Sequence, residues 1–406
     1  MQNNAVQYIY NPENLDQSDP LYTNINNLKS HEMVINIGPQ HPSTHGVLRL
    51  EVVMDGEIVT NVIPHMGYLH RCFEKHAENL PYPQIIPFVD RLDYLAAMNS
   101  EHIYAMGVEK MLGISEEIST RTEYIRVLVA ELNRLSSHFL GIGAYAMDMG
   151  SFTPFLWLMR DREHINRMLE WVSGARMLYN YIWIGGLYYD LPVGFEERCK
   201  EFTVYLKPKL TELKQLVVDN KIFINRTANI GVLPLDLAIN SGVTGPMLRA
   251  SGLRFDLRKV DAYSVYPKLD FDIPIGEGKM GQLGDCWDRT FVRIEECWQS
   301  IRIIEQCIEQ LTNDHKRTRS FNPQASIPKK IRPPKVDFYF RGESPKGELG
   351  FFFRHNSNFD IPYRCKVRAP SFCNLSVLPA ISKNIMLADL IAILGSIDIV
   401  MGEVDR

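Results

Sequence analysis

Three observations predict an α+β fold. The apolar-rich run at residues 47–54 turns at Asp55-Gly56 and returns over residues 57–63, and Asp-Gly between two β-prone runs signals a hairpin. Over residues 87–313 the helical period of apolar positions dominates and gives five long stretches, enough for a central bundle. A second pair of β-prone runs, residues 335–340 and 349–353, flanks Glu343-Ser-Pro-Lys-Gly347 as another hairpin.

In chain order, residues 1–32 are polar and read as an arm. Residues 33–86 hold the first hairpin and the loop Ile35-Asn-Ile-Gly-Pro-Gln-His-Pro-Ser-Thr-His-Gly46, where two glycines and two prolines break the backbone around His41 and His45. Taken alone, this is a Pro-fixed turn whose Ser43 and Thr44 satisfy nearby backbone groups. Two imidazoles and two hydroxyls at the root of a rigid hairpin also suit a binding loop. His65, His70 and His76 follow at spacings of five and six, which put no pair on one helical face. Satisfied or exposed histidines are expected there, not a metal.

Residues 87–314 form the predicted bundle. A first helix over 88–112 turns Leu92, Leu95, Ala96, Ile103 and Met106 inward and stops at Gly113. A second covers 122–149 and ends at Gly150. A third opens at Thr153-Pro154 as N-cap and first residue and runs to about 177. A fourth covers 196–220, with Pro208 marking a kink or break. The fifth, 288–311, faces Phe291, Ile294, Cys297, Trp298 and Ile301 inward. On this reading Tyr94 is a core helix residue and Asp148 a surface residue in a last turn. Gly276-Glu-Gly-Lys-Met-Gly281 matches G-x-G-x-x-G by letter but opens no βαβ unit, so a mobile loop is expected and a dinucleotide site is not. Residues 315–335, rich in Pro, Lys and Arg, read as a surface linker. Residues 336–406 form a C-terminal α+β segment packed into the bundle. It carries the second hairpin, a short helix over 386–394 and an end, Asp398-Ile-Val-Met-Gly-Glu-Val-Asp-Arg406, expected to be tucked inside.

Composition is that of an ordinary globular chain: 406 residues, 45% hydrophobic, 23% charged, net charge −4. That charge gives no reason to expect nucleic acid. The seven cysteines form no CxxC pair, which argues against a zinc or cluster held by this chain alone, and their odd number suits a reducing compartment. The start Met1-Gln-Asn-Asn-Ala lacks a signal pattern and no apolar run approaches ~20 residues, so membrane association is expected through partners.

The loop Gly38-Pro-Gln-His-Pro-Ser-Thr-His-Gly-Val-Leu-Arg49 resembles the signature of the 49-kDa subunit family of respiratory complex I, the NADH:quinone oxidoreductase. Similar blocks recur in order: Asp90-Arg-Leu-Asp-Tyr-Leu95, Gly245-Pro-Met-Leu-Arg249, Asp256-Leu-Arg-Lys259, Gly284-Asp-Cys-Trp-Asp-Arg289, Ser344-Pro-Lys-Gly-Glu348, Arg368-Ala-Pro370 and Gly402-Glu-Val-Asp-Arg406. That family resembles in turn the nickel-iron hydrogenase large subunits, which implies their fold. The cysteine pairs that hold the hydrogenase metals correspond to Asp93 and Ala96, and to Val400 and Glu403. Nickel needs soft thiolates, and none remains. No metal is therefore expected in this chain, and the vacated cavity is where a quinone head group would sit.

The resemblance implies further roles. His45 and Tyr94 would hydrogen-bond the head group of a menaquinone or ubiquinone, with Asp148 the partner of His45. Two-electron reduction takes up two protons, so each carbonyl oxygen needs an acid nearby. A tyrosine is a reliable donor, a histidine can be recharged, and a carboxylate on its second nitrogen fixes the tautomer. Arg71 would lie against a 4Fe-4S cluster held by the small iron-sulfur, hydrogenase-small-subunit-like partner. A 30-kDa subunit, a ferredoxin-like iron-sulfur subunit and a membrane quinone-channel subunit are the other implied partners. The implied location is peripheral, on the cytoplasmic side of the bacterial inner membrane, with the 30-kDa partner a separate chain. The alternatives are a hydrogenase-like complex, which would require nickel, and a non-catalytic scaffold. The chain departs from the family pattern at Cys72, usually glycine, at Leu178, usually a histidine near the cluster, and at Trp183-Ile184, usually Arg-Pro. Without that histidine, a lower and nearly pH-independent cluster potential is expected.

Overall fold

The computed structural model describes residues 32–40, 44, 46–313, 323–325, 330–356 and 359–406. The chain is α+β. Strands β1 (Glu32–Ile37), β2 (Arg49–Asp55) and β3 (Ile58–His65) form an antiparallel sheet. Asp55 pairs with Ile58, so the expected turn is a two-residue one whose first position, Gly56, has φ +62°. The signature loop joins β1 to β2, two paired strands, and so closes a hairpin of its own. Gly38 enters that loop at φ +81°, where a Cβ would lie 2.4 Å from both the Leu48 carbonyl and the Thr44 hydroxyl. Thr44 Oγ1 accepts from Gln40 N and donates to Gln40 O, both at 2.9 Å, as the turn reading required. His41, Ser43 and His45 lie outside the described residues.

After α1 (Phe73–Ala77), the predicted 88–112 helix is two helices, α2 (Tyr82–Val89) and α3 (Ala97–Leu112). Residues 90–96 form turns instead. Asp93 Oδ1 accepts from Leu95 N at 3.1 Å, a local carboxylate turn that competes with helix, and Asn133 Nδ2 donates to Leu95 O at 3.0 Å. The apolar period carries on through this break, which is why the sequence reads as one helix. Helix α3 is buried on nearly every face, including Glu101, His102 and Glu109, and ends at Gly113 with φ +74°.

Helix α4 (Thr120–Asp148) starts on Ser119, whose side chain accepts from Thr122 N. Helix α5 (Phe152–Ser173) starts on Ser151, so Thr153 and Pro154 fall inside the first turn, and Gly174 at φ +82° ends it three residues before the expected point. A small ribbon follows, β4 (Ile182–Trp183) with β5 (Gly186–Leu187). Helix α6 (Phe195–Leu216) runs through Pro208 and stops short of 220. Short helices α7 (Lys221–Thr227), α8 (Leu235–Asn240), α9 (Pro246–Ala250) and α10 (Leu257–Val260) lead to α11 (Cys286–Asn313). Helix α4 packs between α5 and α11, and α11 also packs on α6. Phe291, Ile294, Cys297 and Ile301 of α11 are buried as expected, whereas Trp298 is only partly buried.

The 276–281 loop is anchored, contrary to expectation. Gly276 N donates to Arg249 O at 2.9 Å, and Gly278 N to the Asp288 carboxylate at 3.1 Å. Only residues 323–325 and 330–335 of the predicted linker are described; Pro323 and Gln324 lie against Gly186, where a Cβ would meet Pro323 O at 2.0 Å.

The second hairpin is β6 (Val336–Ser344) and β7 (Gly347–His355), turning through Pro345 and Lys346, with β8 (Arg364–Arg368) added antiparallel. Its aromatic face packs on α3, the Phe351 and Phe353 rings lying 5.4 and 5.7 Å from that of Tyr104. Helices α12 (Pro370–Leu375) and α13 (Leu378–Ile381) then lead to β9 (Ile385–Met386), which pairs with β3, so the C-terminal segment completes the N-terminal sheet. Helix α14 (Leu387–Ile397) packs against α4 and α11. Residues 399–405, including α15 (Met401–Asp405), are buried. The end of the chain is tucked inside. No helix among the described residues is long and apolar enough to cross a membrane.

Candidate functional site

The 90–96 turn, the C-terminal α15, the Pro345-Lys346 turn and the loop before α1 converge on one region. Gly402 makes the closest contact. A Cβ on it would stand 2.6 Å from Leu92 O and 3.0 Å from Arg91 O, so only glycine lets α15 lie directly on the turn. Arg71 ties the two together, its Nη2 donating to Arg91 O and to Gly402 O. Burial, and then the nearby Arg91 charge, lower the Arg71 pKa. The loop also wraps the chain end: Gly67 N and Leu69 N donate to the Asp405 carboxylate at 2.9 and 2.7 Å, and His70 Nδ1 donates to Asp405 O at 2.7 Å.

Tyr94 sits in this turn, partly exposed, not in a helix core as its residue type and spacing suggested. Burial, followed by the Asp93 charge, raises its phenol pKa, while Arg71 opposes the rise. The structure thus brings Tyr94 and Arg71 into one electrostatic environment with Asp93.

A buried ionic cluster surrounds Asp93. Lys346 Nζ donates to Asp398 Oδ2, and Arg293 Nε lies 3.6 Å from the same oxygen. Gly141 of α4 makes room for that carboxylate, since a Cβ there would approach its Oδ1 to 2.7 Å. Glu403 Oε1 accepts from Ser371 N at 3.0 Å. Burial first, and the Asp93 charge second, push the Glu403 pKa up to about 8. Asp93 is raised as well, by burial, against the pull of Lys346.

Asp148 ends α4 against α14, its Oδ2 3.2 Å from where a Cβ on Gly395 would stand. It is only partly exposed, not the open surface residue expected, and burial pushes its pKa up to about 6. Its pairing with His45 involves a residue outside those described. The three neighbouring histidines are engaged or stacked: His65 Nε2 lies 3.2 Å from Glu51 Oε2, His70 bonds Asp405, and the His76 ring stacks on Phe88 at 5.4 Å. Among the described residues no group of three or more His, Cys, Asp or Glu is placed to hold a metal.

The departures from the family pattern are also located. Cys72 is exposed, at φ +56°, a backbone region that favours glycine. Leu178 is half-buried at φ +58°, so it is not a core residue of this chain. The segment after it rests on two buried acids that sequence reasoning missed: Asn180 N donates to Asp90, and Tyr181 N and Ile182 N to Glu101. The Asp90 and Glu101 carboxyls lie close enough to shift each other's pKa. Desolvation is the main cause of the rise in both, with Asp90 pushed up to about 6. The signal available in the sequence was charge at Asp90, Asp93 and Glu101 within an otherwise apolar stretch.

The α+β chain thus gathers a lysine and several buried carboxylates around Asp93, the neighbour of Tyr94 in the 90–96 turn. A family model described as "Respiratory-chain NADH dehydrogenase, 49 Kd subunit" matches residues 148–406, more than half of the chain. An NADH-quinone oxidoreductase subunit of Cytophaga hutchinsonii is 75% identical over 392 residues, covering 97% of this chain and 100% of that relative. The NADH-quinone oxidoreductase subunit of the same type from Amoebophilus asiaticus is 67% identical, with 98% of each chain covered, and that of Chlorobium luteolum 56%, with 93% and 94% covered. The chain belongs to the 49-kDa subunit family of respiratory-chain NADH dehydrogenase.

Proposed function

We propose that this subunit forms the quinone-reducing site of its complex, with the head group bound over the 90–96 turn. The observation that carries the reading is the turn itself: it interrupts an apolar helical stretch, presents Tyr94 at a partly exposed position and backs it with buried acids. Tyr94 donates to one carbonyl oxygen of the quinone and His45 to the other. Asp148 holds His45 in the protonated form, and its carboxylate, ionised above about pH 6, suits that task. The relatives' shared name, NADH-quinone oxidoreductase, supports quinone as the substrate and NADH as the electron source.

Electrons arrive from a 4Fe-4S cluster in a small iron-sulfur partner, with Arg71 on the side facing it. A 30-kDa subunit, a ferredoxin-like subunit and a membrane quinone-channel subunit complete the surroundings, on the cytoplasmic face of the inner membrane. Menaquinone fits a low-potential cluster better than ubiquinone does.

Tyr94→Phe tests the assignment. It removes the donor needed when the reduced oxygen becomes basic, so turnover falls by about 100-fold or more in an assembled complex. His45→Ala is milder, because water partly replaces an imidazole in a polar site. A Tyr94→Phe complex that reduces short-chain quinones at the wild-type rate would refute the site.

A further inference from the structure

Two buried carboxylate oxygens, Asp93 Oδ2 next to Tyr94 in the chain and Glu403 Oε2 of an acid that interacts with Asp93, have no hydrogen-bond partner among the described residues. Both residues are buried. A buried carboxylate with an unsatisfied oxygen costs more when ionised than when protonated. Charge balance points the same way. The cluster holds three acids, Asp93, Asp398 and Glu403, against two cations, Lys346 and Arg293. One proton makes it neutral. Asp398 contacts both cations, and Asp93 is held by the Leu95 and Ala96 amides and the pull of Lys346. Glu403 has the Ser371 amide and, last among its influences, Lys346, so it is the acid left to carry the proton.

We propose that Glu403 is the internal proton store of the head-group site and reprotonates Tyr94 by way of Asp93. The inference rests on the reading of Tyr94 as a head-group donor. In the step, the two electrons supplied by the complex reduce the quinone, and Tyr94 gives its O–H proton to the reduced oxygen, leaving a tyrosinate. Asp93, a carboxylate at rest, takes the proton from Glu403, directly or through one water, and passes it to the tyrosinate. Tyrosine is restored, Glu403 becomes a carboxylate, and solvent recharges it before the next turnover. The direction is downhill, because a tyrosinate is a stronger base than a Glu403 carboxylate of pKa about 8. The charged or titratable groups facing Glu403 are Asp93 from the turn and Lys346 from the β6–β7 turn; from α12 it meets the Ser371 amide and hydroxyl. Asp405 and Arg406 share its own end of the chain.

The test is Glu403→Gln in the intact complex, with quinone reductase turnover measured from pH 6 to 9. Glutamine keeps the acceptor for Ser371 N and the volume, but holds no transferable proton. Wild-type turnover is expected to fall above about pH 8 as Glu403 ionises. The variant is expected to turn over roughly tenfold slower or less, with unchanged KM and no such alkaline limb, and Glu403→Asp to recover part of the rate and the limb. If Tyr94→Phe collapses turnover while Glu403→Gln keeps the wild-type rate, or slows but keeps the limb, the proton-store role is overturned and the head-group site stands. If Tyr94→Phe is itself without effect, the underlying reading has failed. Should Glu403→Gln not assemble, infrared difference spectra of the wild-type complex with isotope-labelled glutamate decide the point. A protonated-glutamate carbonyl band lost above about pH 8 supports the role, and its absence at pH 7 overturns it.

Discussion

Alanine at Gly402 perturbs the junction of α15 with the Tyr94 turn. Its φ is outside the left-handed region, so alanine is conformationally allowed, and helix propensity alone would favour it by about 1 kcal/mol. Packing acts in the opposite direction. The new Cβ would stand 2.6 Å from Leu92 O and 3.0 Å from Arg91 O, with Arg71 Nη2 at 3.3 Å. A comfortable carbon–oxygen contact is about 3.3 Å, so the helix and the turn must separate by roughly 0.7 Å. Both close atoms are backbone carbonyls and cannot rotate aside, and overpacking of this kind costs about 1–3 kcal/mol. A reacting group displaced by about 1 Å loses up to about 100-fold in rate. Gly402→Ala is therefore expected to lower quinone reduction by about 10- to 100-fold. Electron delivery to an artificial acceptor that intercepts electrons before the quinone should stay near normal. Blue-native electrophoresis confirms assembly, and the two assays on the same membranes give the ratio. Wild-type quinone reduction, or equal loss in both assays, would show that the α15 contact does not position Tyr94.

Asp148 is neutral below about pH 6 and ionised above it, so wild-type turnover should decline as pH falls through that value. Asp148→Asn should be uniformly slow from pH 5 to 7.5, and an acid limb that persists in the variant would remove Asp148 from the site. At Leu178 the left-handed backbone accommodates histidine better than leucine. Leu178→His should therefore fold, and should give the terminal cluster a midpoint potential that falls with pH between about 6 and 8, read by EPR-monitored redox titration. A wild-type potential already this pH-dependent would contradict the expectation, and would direct attention to the Asp90–Glu101 pair beneath the segment.

How far the chain was legible depended on the range of the forces involved. The Asp55-Gly56 and Pro345-Lys346 turns, the stop at Gly113 and the inward face of α11 were readable, because turn chemistry and helical period are local. The third helix was misplaced at both ends by a few residues, since Ser151 and Gly174 supply the boundaries while Thr153-Pro154 only resembles one. Arg71, Tyr94 and Asp148 were nominated only through the family resemblance; residue type and spacing alone read them as surface or core residues. Glu403 and Asp93 were noticed only as missing thiolates, with no sign that each would leave a buried oxygen without a partner.

The α+β class, the family and the absence of thiolate ligands at the hydrogenase-like positions could all be read before folding, because they reside in residue identity and local pattern. That residues 90–96 leave the helix could not. The apolar period continues through them, and what bends the chain comes from elsewhere: Asn133 on α4 holds Leu95 O, Asn180 N meets Asp90, and Gly402 brings the end of the chain onto Leu92. A local propensity of a few tenths of a kcal/mol per residue cannot compete with tertiary hydrogen bonds at about 1 kcal/mol each. The same long-range closure gathers Lys346, Asp398 and Glu403 around Asp93, the residue before Tyr94.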